Sequence, residues 1–456
     1  MYCYLLILIS ACILLIEINA LNIKNPTTDL QSYVFETTPQ FDEKTCPKTI
    51  AELKNTIYIL YDVNPPEGFN LRRDVYIRLA VFVQKLQKKK LFNNVRLVLP
   101  PWRRLFHWKS NHLSQDNLLW KQFFNIESMR RYAPILDFDE FLHEISLFGL
   151  PESPYVPVHK IFQLMHFEDM FEDGAFHDKY EFTECRKEQY QRSYLLQQSI
   201  LLDNDFLCLK FQGSSSMLER VLRQSMASND TTNNEPKVYA FLNAEIVLHD
   251  SWGDVEFWKA RRSMRFAPQL LEIADKFRMK HFRTNNSIEE VQRPPMWEFE
   301  KEYRSALGGR YLCAHLRRGD FVFGREKTTP TLKSVAVQIR DKLKYLNLTT
   351  VFLATDATAF EMQNLKSYLQ RVRPVRYSTD SLEQKSMLKD GGIAIIDQII
   401  CSHAAYFIGT YESTFTYRIY EEREIMGFPK MNTFNTFCKS EDLSDCSKNS
   451  VWPIVY

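Results

Sequence analysis

The chain has 456 residues, 45% hydrophobic and 25% charged, with a formal net charge of +2. That is the composition of a globular protein long enough for two or more domains, and so small a net charge gives no support to bulk binding of nucleic acid or a membrane surface. Aromatic residues make up 14% of the chain, which suits large cores or ring-lined clefts without choosing between them.

The chain begins with the apolar run "YLLILISACILLI" (4–16), closed by Glu17 and followed by "INALN". Thirteen residues are short for a bilayer span, and Ala20 is a suitable small residue before a cleavage site. Residues 1–20 therefore read as a secretory signal peptide, although no Lys or Arg precedes the run; an uncleaved signal anchor is the alternative. No second long apolar segment follows, so no stable membrane span is expected after cleavage. In an oxidising compartment some of the seven cysteines beyond the signal should pair. Cys438 and Cys446 flank a short polar loop and make the first choice of bridge, and Cys185 with Cys208 the second. Cys313 and Cys401 lie in apolar strand and helix patterns and read as small core residues. The odd count leaves at least one free thiol. Neither a CxxC nor a Cys/His spacing suggests zinc, so no metal cluster is expected. Sequons at Asn229, Asn285 and Asn347 suit a glycosylated luminal protein.

After an N-terminal segment (21–50), strand-like and helical stretches alternate from residue 57. Ile57–Leu60 reads as a buried strand, followed by the loop "YDVNPPEGFN" (61–70), a helix near 71–89 and "VRLVLP" (95–100). Further strands are expected at 133–138, 205–211 and 237–242, while 101–190 has no clear pattern. "SMASNDTTNNEPK" (225–237) reads as an exposed loop and 283–295 as a linker. The second half is sharper, with strands at 310–317, 350–356, 374–379 and 405–410 and helices at 331–346, 359–370, 391–404 and 413–425. Strands alternating with helices of these lengths indicate βαβ units and parallel sheets. The expected architecture is α/β, with two doubly wound halves (51–282 and 296–456) facing across a cleft. Ligands in such sheets collect at the carboxyl ends of strands. GxGxxG and GxxxxGK[ST] are both missing, so the ordinary dinucleotide and P-loop readings lose their main support.

Four stretches carry candidate chemistry. In "YDVNPPEGFN", Pro65 and Pro66 fix φ and remove donors, and Gly68 admits conformations that other residues avoid, so Glu67 sits on a stiff loop at a strand end. It is either a solvated turn residue or a carboxylate presented to the cleft. "AHLRRGDF" (314–321) falls where a strand should end, so Arg317 and Arg318 should point to opposite faces. One can then reach a phosphate with its planar fork while the other pairs with Asp320 or another acid; a solvated charge cluster is the plainer reading. In "GTYESTFTYRIYEER" (409–423), Ser413 and Thr414 follow a strand and start a helix, either as an ordinary cap or as an anion site. Asp397, within "GIAIIDQII", is either buried and paired or faces the cleft, where one carboxylate can accept adjacent N–H donors of a guanine base.

Together, "YILYDVNPPEGFNLRRDVYIR", "LVLPPW", "HLRRGDF", "DGGIAIIDQ" and "IGTYESTFTYRIYEERE" closely resemble the GDP-fucose protein O-fucosyltransferase 2 family, from about Tyr58 to Tyr456. The resemblance implies a GT-B-like fold of two Rossmann-like domains, 51–282 on the acceptor side and 296–456 for the donor. It further implies an inverting glycosyltransferase of the endoplasmic reticulum lumen that moves fucose from GDP-fucose to Ser or Thr of folded thrombospondin type 1 repeats, with no cofactor or metal required. By motif match, Pro66, Glu67, Gly68, Phe69 and Asn70 form the donor loop, with Glu67 as base. His315, Leu316 and Arg317 correspond to the phosphate-binding strand end, Asp397 to the guanine-side acid, and Ser413, Thr414 and Phe415 to the helix-start contacts. Glu422 matches an acid needed for activity in a role the sequence does not define. Departures are confined to Gly319 in the variable place of HLRRxD, a long 226–236 loop and a poorly matched 150–190 region. A tail of the KDEL type does not follow Trp452, so retention would need another mechanism. The alternatives are an O-fucosyltransferase acting on EGF-like repeats, a non-catalytic luminal binding module, and an α/β protein using an unrelated nucleotide.

Overall fold

The computed structural model describes residues 50–89, 92, 94–103, 105–148, 158–169, 178–185, 206–227, 236–379, 381–440 and 451–456. The expected signal peptide, Cys46, Cys446, Asn229 and nearly all of the 226–236 loop lie outside the described residues. The chain divides into two units, Met1–Lys54 and Asn55–Tyr456. Of the first, the short helix Ile50–Leu53 is described. Everything below concerns the second.

Seven strands form one sheet: β1 (Ile57–Tyr61), β2 (Val95–Val98), β3 (Ile135–Leu136), β4 (Lys160–Met165), β5 (Lys179–Thr183), β6 (Phe206–Gln212) and β7 (Lys237–Leu242). Their order is β3-β2-β1-β7-β4-β6-β5. All neighbours are parallel except β5, which runs antiparallel to β6. β8 (Gly309–Leu316), β9 (Val351–Thr355), β10 (Pro374–Val375) and β11 (Ala404–Gly409) form a second, all-parallel sheet in the order β10-β9-β8-β11. The α/β fold with parallel sheets is thus the one expected. β4 and β5 fall in the stretch without a clear pattern, and the two-residue β10 is much shorter than 374–379.

The sequence reason for parallel pairing is visible in the strands themselves. "IYILY" of β1 and "VRLV" of β2 are buried at every position, as strands covered by helices on both faces must be. The helices that matter for the site are α1 (Phe69–Lys88), α2 (Val255–Ser263), α3 (Pro268–Phe282), α4 (Leu332–Tyr345), α5 (Ala359–Leu369), α6 (Leu382–Ser402) and α7 (Thr414–Met426). α1 carries Lys85 and Lys88 in its last turn, where the helix dipole favours cations. α3 starts with Pro268, whose missing N–H costs nothing in a first turn. α6 begins nine residues before the expected 391 and is kinked at Lys389, which sits at φ 55°.

In each sheet the chain leaves a central strand to one side and later returns on its other side. β1 lies between β2 and β7, and β8 between β9 and β11. Such reversals open a crevice beyond the strands' carboxyl ends, where ligands of open α/β sheets bind. The stretch expected as a linker, 283–295, is anchored: Thr284, Glu289 and Val291 are buried, and Glu289 accepts from both Arg278 of α3 and His403.

Cys185 and Cys208 form a disulfide, as expected. Cys438 is also disulfide-bonded, while Cys446, its expected partner, lies outside the described residues. Cys313 and Cys401 are buried in the core as expected, but they are also paired, in a disulfide that was not expected, between the middle of β8 and the last turn of α6, with Cα atoms 5.1 Å apart. Their apolar surroundings hid it. The pairing arises only when α6 packs on β8 across 88 residues of sequence. Among the sequons, Asn347 is exposed in a left-handed turn after α4, and Asn285 is half-buried with its side chain accepting the Ile288 N–H. Among the described residues, no helix is long and apolar enough to cross a membrane.

Candidate functional site

A cavity of about 590 Å³ lies beyond the carboxyl ends of β1, β8, β9 and β11. Of the residues singled out in the sequence, Pro66, Glu67, Gly68, Phe69, Asn70, His315, Arg317, Asp397, Ser413, Thr414 and Phe415 line it. Two do not. The Leu316 side chain is fully buried in the core, and its carbonyl accepts the Thr355 hydroxyl. Glu422 lies deeper in α7, buried between Arg261 and Arg293.

The Glu67 loop is a tight turn. The Glu67 N–H donates to the Asn64 carbonyl at 2.9 Å, with Pro65 at the first corner position, which suits its fixed φ, and Pro66 after it. Arg72, from the first turns of α1, holds the loop by donating to the carbonyls of Val63, Asn64 and Glu67. Gly68 has an ordinary φ of −80°, so conformational freedom is not what it provides. Space is: a Cβ there would stand 3.1 Å from the His107 ring. The half-buried Glu67 carboxyl is raised above the usual range by burial, partly offset by Arg72.

Arg317 leaves the end of β8, its N–H donating to Thr410 at 2.8 Å. Its guanidinium pairs with Asp320 and Asp356 and contacts His107 Nδ1 at 2.9 Å. Arg318 points elsewhere, to Glu361 and the Pro330 carbonyl, so the opposed directions expected of a strand end are met. Gly319 adopts φ +29° beside the Asp356 carboxylate, where a Cβ would collide at 2.6 Å. His315 is buried, bonded to Thr416 and stacked on Phe415 at 4.3 Å; burial and then Arg317 lower it to about 3, so its ring is neutral. Ser413 precedes α7 without capping it, contrary to the ordinary cap reading, so its hydroxyl does not occupy the first-turn N–H groups. Asp397 lines the cavity with its Oδ1 buried and, among the described residues, unbonded, and burial raises its carboxyl to about 7.

Several lining residues carried no signal in the sequence. His107 and Trp108 come from the loop after β2, which an antiparallel bridge between Trp102 and Leu118 closes. Asp390 ties that loop to α6, accepting from the Ser110 N–H and from Gln115 while its own N–H donates to Gln115. Arg325 and Glu412 pair beside Phe321. His107 is held neutral by burial and by Arg317. "LPPW" was a usable signal for the loop's start, but its contact with α6 is set only by packing. Among the described residues, no group of three or more His, Cys, Asp or Glu is placed to hold a metal ion.

A cleft with a raised carboxyl on one wall, and a guanidinium and an open helix start on the other, can bind an anion and accept a proton beside it. The family model of GDP-fucose protein O-fucosyltransferase matches residues 58–426. The chain is similar to the GDP-fucose protein O-fucosyltransferase 2 of Drosophila melanogaster, 54% identical over 419 residues that cover 90% of this chain and 85% of the relative. It is similar to that of Homo sapiens at 36% over 408 residues, covering 88% and 90%. In fold it resembles the crystal structure of POFUT1 in complex with GDP-fucose, with a TM-score of 0.53 at 16% identity, covering 84% of this chain and 98% of that one. The chain belongs to the GDP-fucose protein O-fucosyltransferase family.

Proposed function

We propose that this protein transfers fucose from GDP-fucose to Ser or Thr hydroxyls of folded thrombospondin type 1 repeats, by a single displacement with Glu67 as general base. The observation that carries the reading is the placement of Glu67, a carboxyl raised by burial, on the same cavity as Arg317 and the α7 start. A raised pKa makes a carboxylate a better proton acceptor near neutral pH. Glu67 takes the hydroxyl proton as the acceptor oxygen bonds to the anomeric carbon; the bond from that carbon to the β-phosphate oxygen breaks, and its electron pair leaves with GDP. Attack opposite the leaving group inverts the centre, giving α-linked fucose from the β-linked donor. Arg317 and the free N–H groups of α7 meet the charge that grows on the leaving phosphate, so the step as written needs no metal. Asp397 accepts from the guanine base. The 51–282 half supplies the acceptor side and the 296–456 half the donor side, in the endoplasmic reticulum lumen.

The test is one transfer reaction offering thrombospondin type 1 and EGF-like repeats, each with native disulfides and unfolded. Label is expected on the folded thrombospondin repeat alone. Label on the EGF-like repeat instead would move the acceptor assignment, and no transfer at all would favour a binding module. Glu67→Gln should keep GDP binding while losing about 100-fold or more in turnover; full activity in that variant removes Glu67 as base.

A further inference from the structure

Behind the cavity wall, three side chains from two helices fix one another's orientation. Arg73, one turn along α1 from Asn70, is fully buried. It packs against the rings of Phe69, Phe124 and Phe266, and among the described residues it has no ion-pair partner. Its Nη1 donates to Gln398 Oε1 at 2.7 Å and to Asn70 Oδ1 at 3.2 Å. Gln398, the neighbour of Asp397 on α6, donates its Nε2 to the same Asn70 Oδ1 at 2.8 Å. A guanidinium has only N–H groups to offer, so both amides must turn an oxygen toward Arg73. Gln398 is then left with its Nε2 facing Asn70, and that contact also requires an oxygen. The Asn70 carboxamide has one possible orientation, with Oδ1 inward as a double acceptor and Nδ2 without a partner among the described residues.

Asn70 lines the cavity, whereas Arg73 and Gln398 do not. We propose that Arg73 and Gln398 are positioning residues that lock the Asn70 amide so that its Nδ2–H donors face the cavity for an anionic oxygen of a nucleoside diphosphate. The anion is favoured over a neutral acceptor by polarisation. Two bonds into Oδ1, one from a buried cation, draw electron density from the amide nitrogen and make its N–H a stronger donor. The same three residues join the Glu67 loop to the helix carrying Asp397, so the lock also sets the register between the base and the nucleotide end. The identity of the ligand rests on the reading of the site given above.

The test is calorimetric titration of the full chain with GDP, beside thermal unfolding. Asn70→Asp keeps an inward oxygen for Arg73 and Gln398 but presents an oxygen to the ligand. It is expected to unfold no earlier than wild type, since the buried guanidinium gains a counter-charge, while GDP affinity falls by about 100-fold or more. Gln398→Glu removes the inward donor and turns the Asn70 amide over, weakening GDP by about tenfold. In steady state both variants should raise KM for GDP-fucose and leave KM for the acceptor unchanged, a split that general loosening of the fold would not give. Either variant binding GDP within about threefold of wild type overturns the lock. Early unfolding of Asn70→Asp also overturns it, because an ionised oxygen beside Arg73 should hold. If wild type itself fails to bind GDP, the reading of the site fails and the diphosphate assignment with it.

Discussion

Replacing Asp397 with asparagine separates what this residue costs the fold from what it does for a ligand. Its Oδ1 is buried without a hydrogen-bond partner among the described residues, and burial raises the carboxyl from 3.8 to about 7 against the opposing pull of Arg376. A displacement of that size corresponds to about 4 kcal/mol between the protonation states. The sign follows from linkage. Below about 3.8 the carboxyl is protonated in both folded and unfolded chains and costs nothing. From there to about 7 the unfolded chain releases its proton while the folded one keeps it, so stability falls as pH rises and levels off above 7. Asp397→Asn, never charged, should therefore exceed wild type by up to about 4 kcal/mol at pH 8 and by little at pH 4. Buried neutral histidines such as His315, lowered to about 3, and His249, lowered to about 4, act oppositely, losing stability as pH falls below 6.5. They are common to both proteins, so the difference between the two denaturant-derived stability curves, taken from pH 5 to 8, isolates Asp397. Binding adds a second slope. A carboxylate that accepts guanine N–H groups must be ionised, so wild-type GDP affinity should fall as pH drops below 7 and the variant's weaker affinity should not. Parallel stability curves for the two proteins over that range would refute the burial argument.

Three further outcomes are expected. Glu422→Gln leaves the buried Arg261 and the half-buried Arg293 short of counter-charge and should cost about 3–5 kcal/mol in urea denaturation; an undiminished stability would contradict its placement. Replacing both Cys313 and Cys401 with alanine should lower stability by about 2–4 kcal/mol, given the 88 residues between them, while in reductant the same pair of changes should cost clearly less, only the packing of two buried sulfurs being lost. Gly391→Ala would put a Cβ 2.8 Å from the Trp108 ring and 2.9 Å from Phe123, so a loss of about 1–3 kcal/mol is expected, read as a lower thermal midpoint together with weaker GDP binding through the displaced loop.

What the sequence made legible was local. β1, β7, β8, β9 and β11 lie within a residue or two of their expected places because short apolar runs between turn residues determine parallel strands without outside help. Glu67, Arg317 and Ser413 were found because each stands at the carboxyl end of such a strand. The rest depended on contacts between distant parts of the chain. β5 has the half-exposed pattern of an edge strand, and its antiparallel pairing to β6 follows no local signal. His107 and Asp390 look like ordinary loop and helix residues until α6 brings them to the cavity. Gly68 showed the opposite failure: its place in the motif was right, but the reason was room for the His107 ring rather than an unusual φ.

Glu422 gains a physical meaning from its distance to the cavity. α1 and α7 both present their N-terminal ends to the site, one carrying the Glu67 loop and the other the Ser413 and Thr414 start. Their bodies are joined by buried charges: Asp74 of α1 meets Arg418 of α7 at 3.6 Å, and Arg261 of α2 meets Glu421 at 2.7 Å and Glu422 at 2.8 Å. Arg293, from the stretch between the two sheets, also pairs with Glu422. Burial alone would raise the Glu422 carboxyl, but Arg293 and Arg261 outweigh it and hold it down at about 2, so Glu422 is ionised at neutral pH. Buried ion pairs contribute little net stability compared with well-packed apolar groups, since desolvation offsets most of the attraction. What they impose is register, because a charge sealed from water tolerates almost no displacement from its partner. Glu67 lines the cavity from the first sheet and Arg317 and the α7 start from the second, so the register between α1 and α7 fixes how these groups face one another. An acid remote from the cavity can therefore shape the site without lining it.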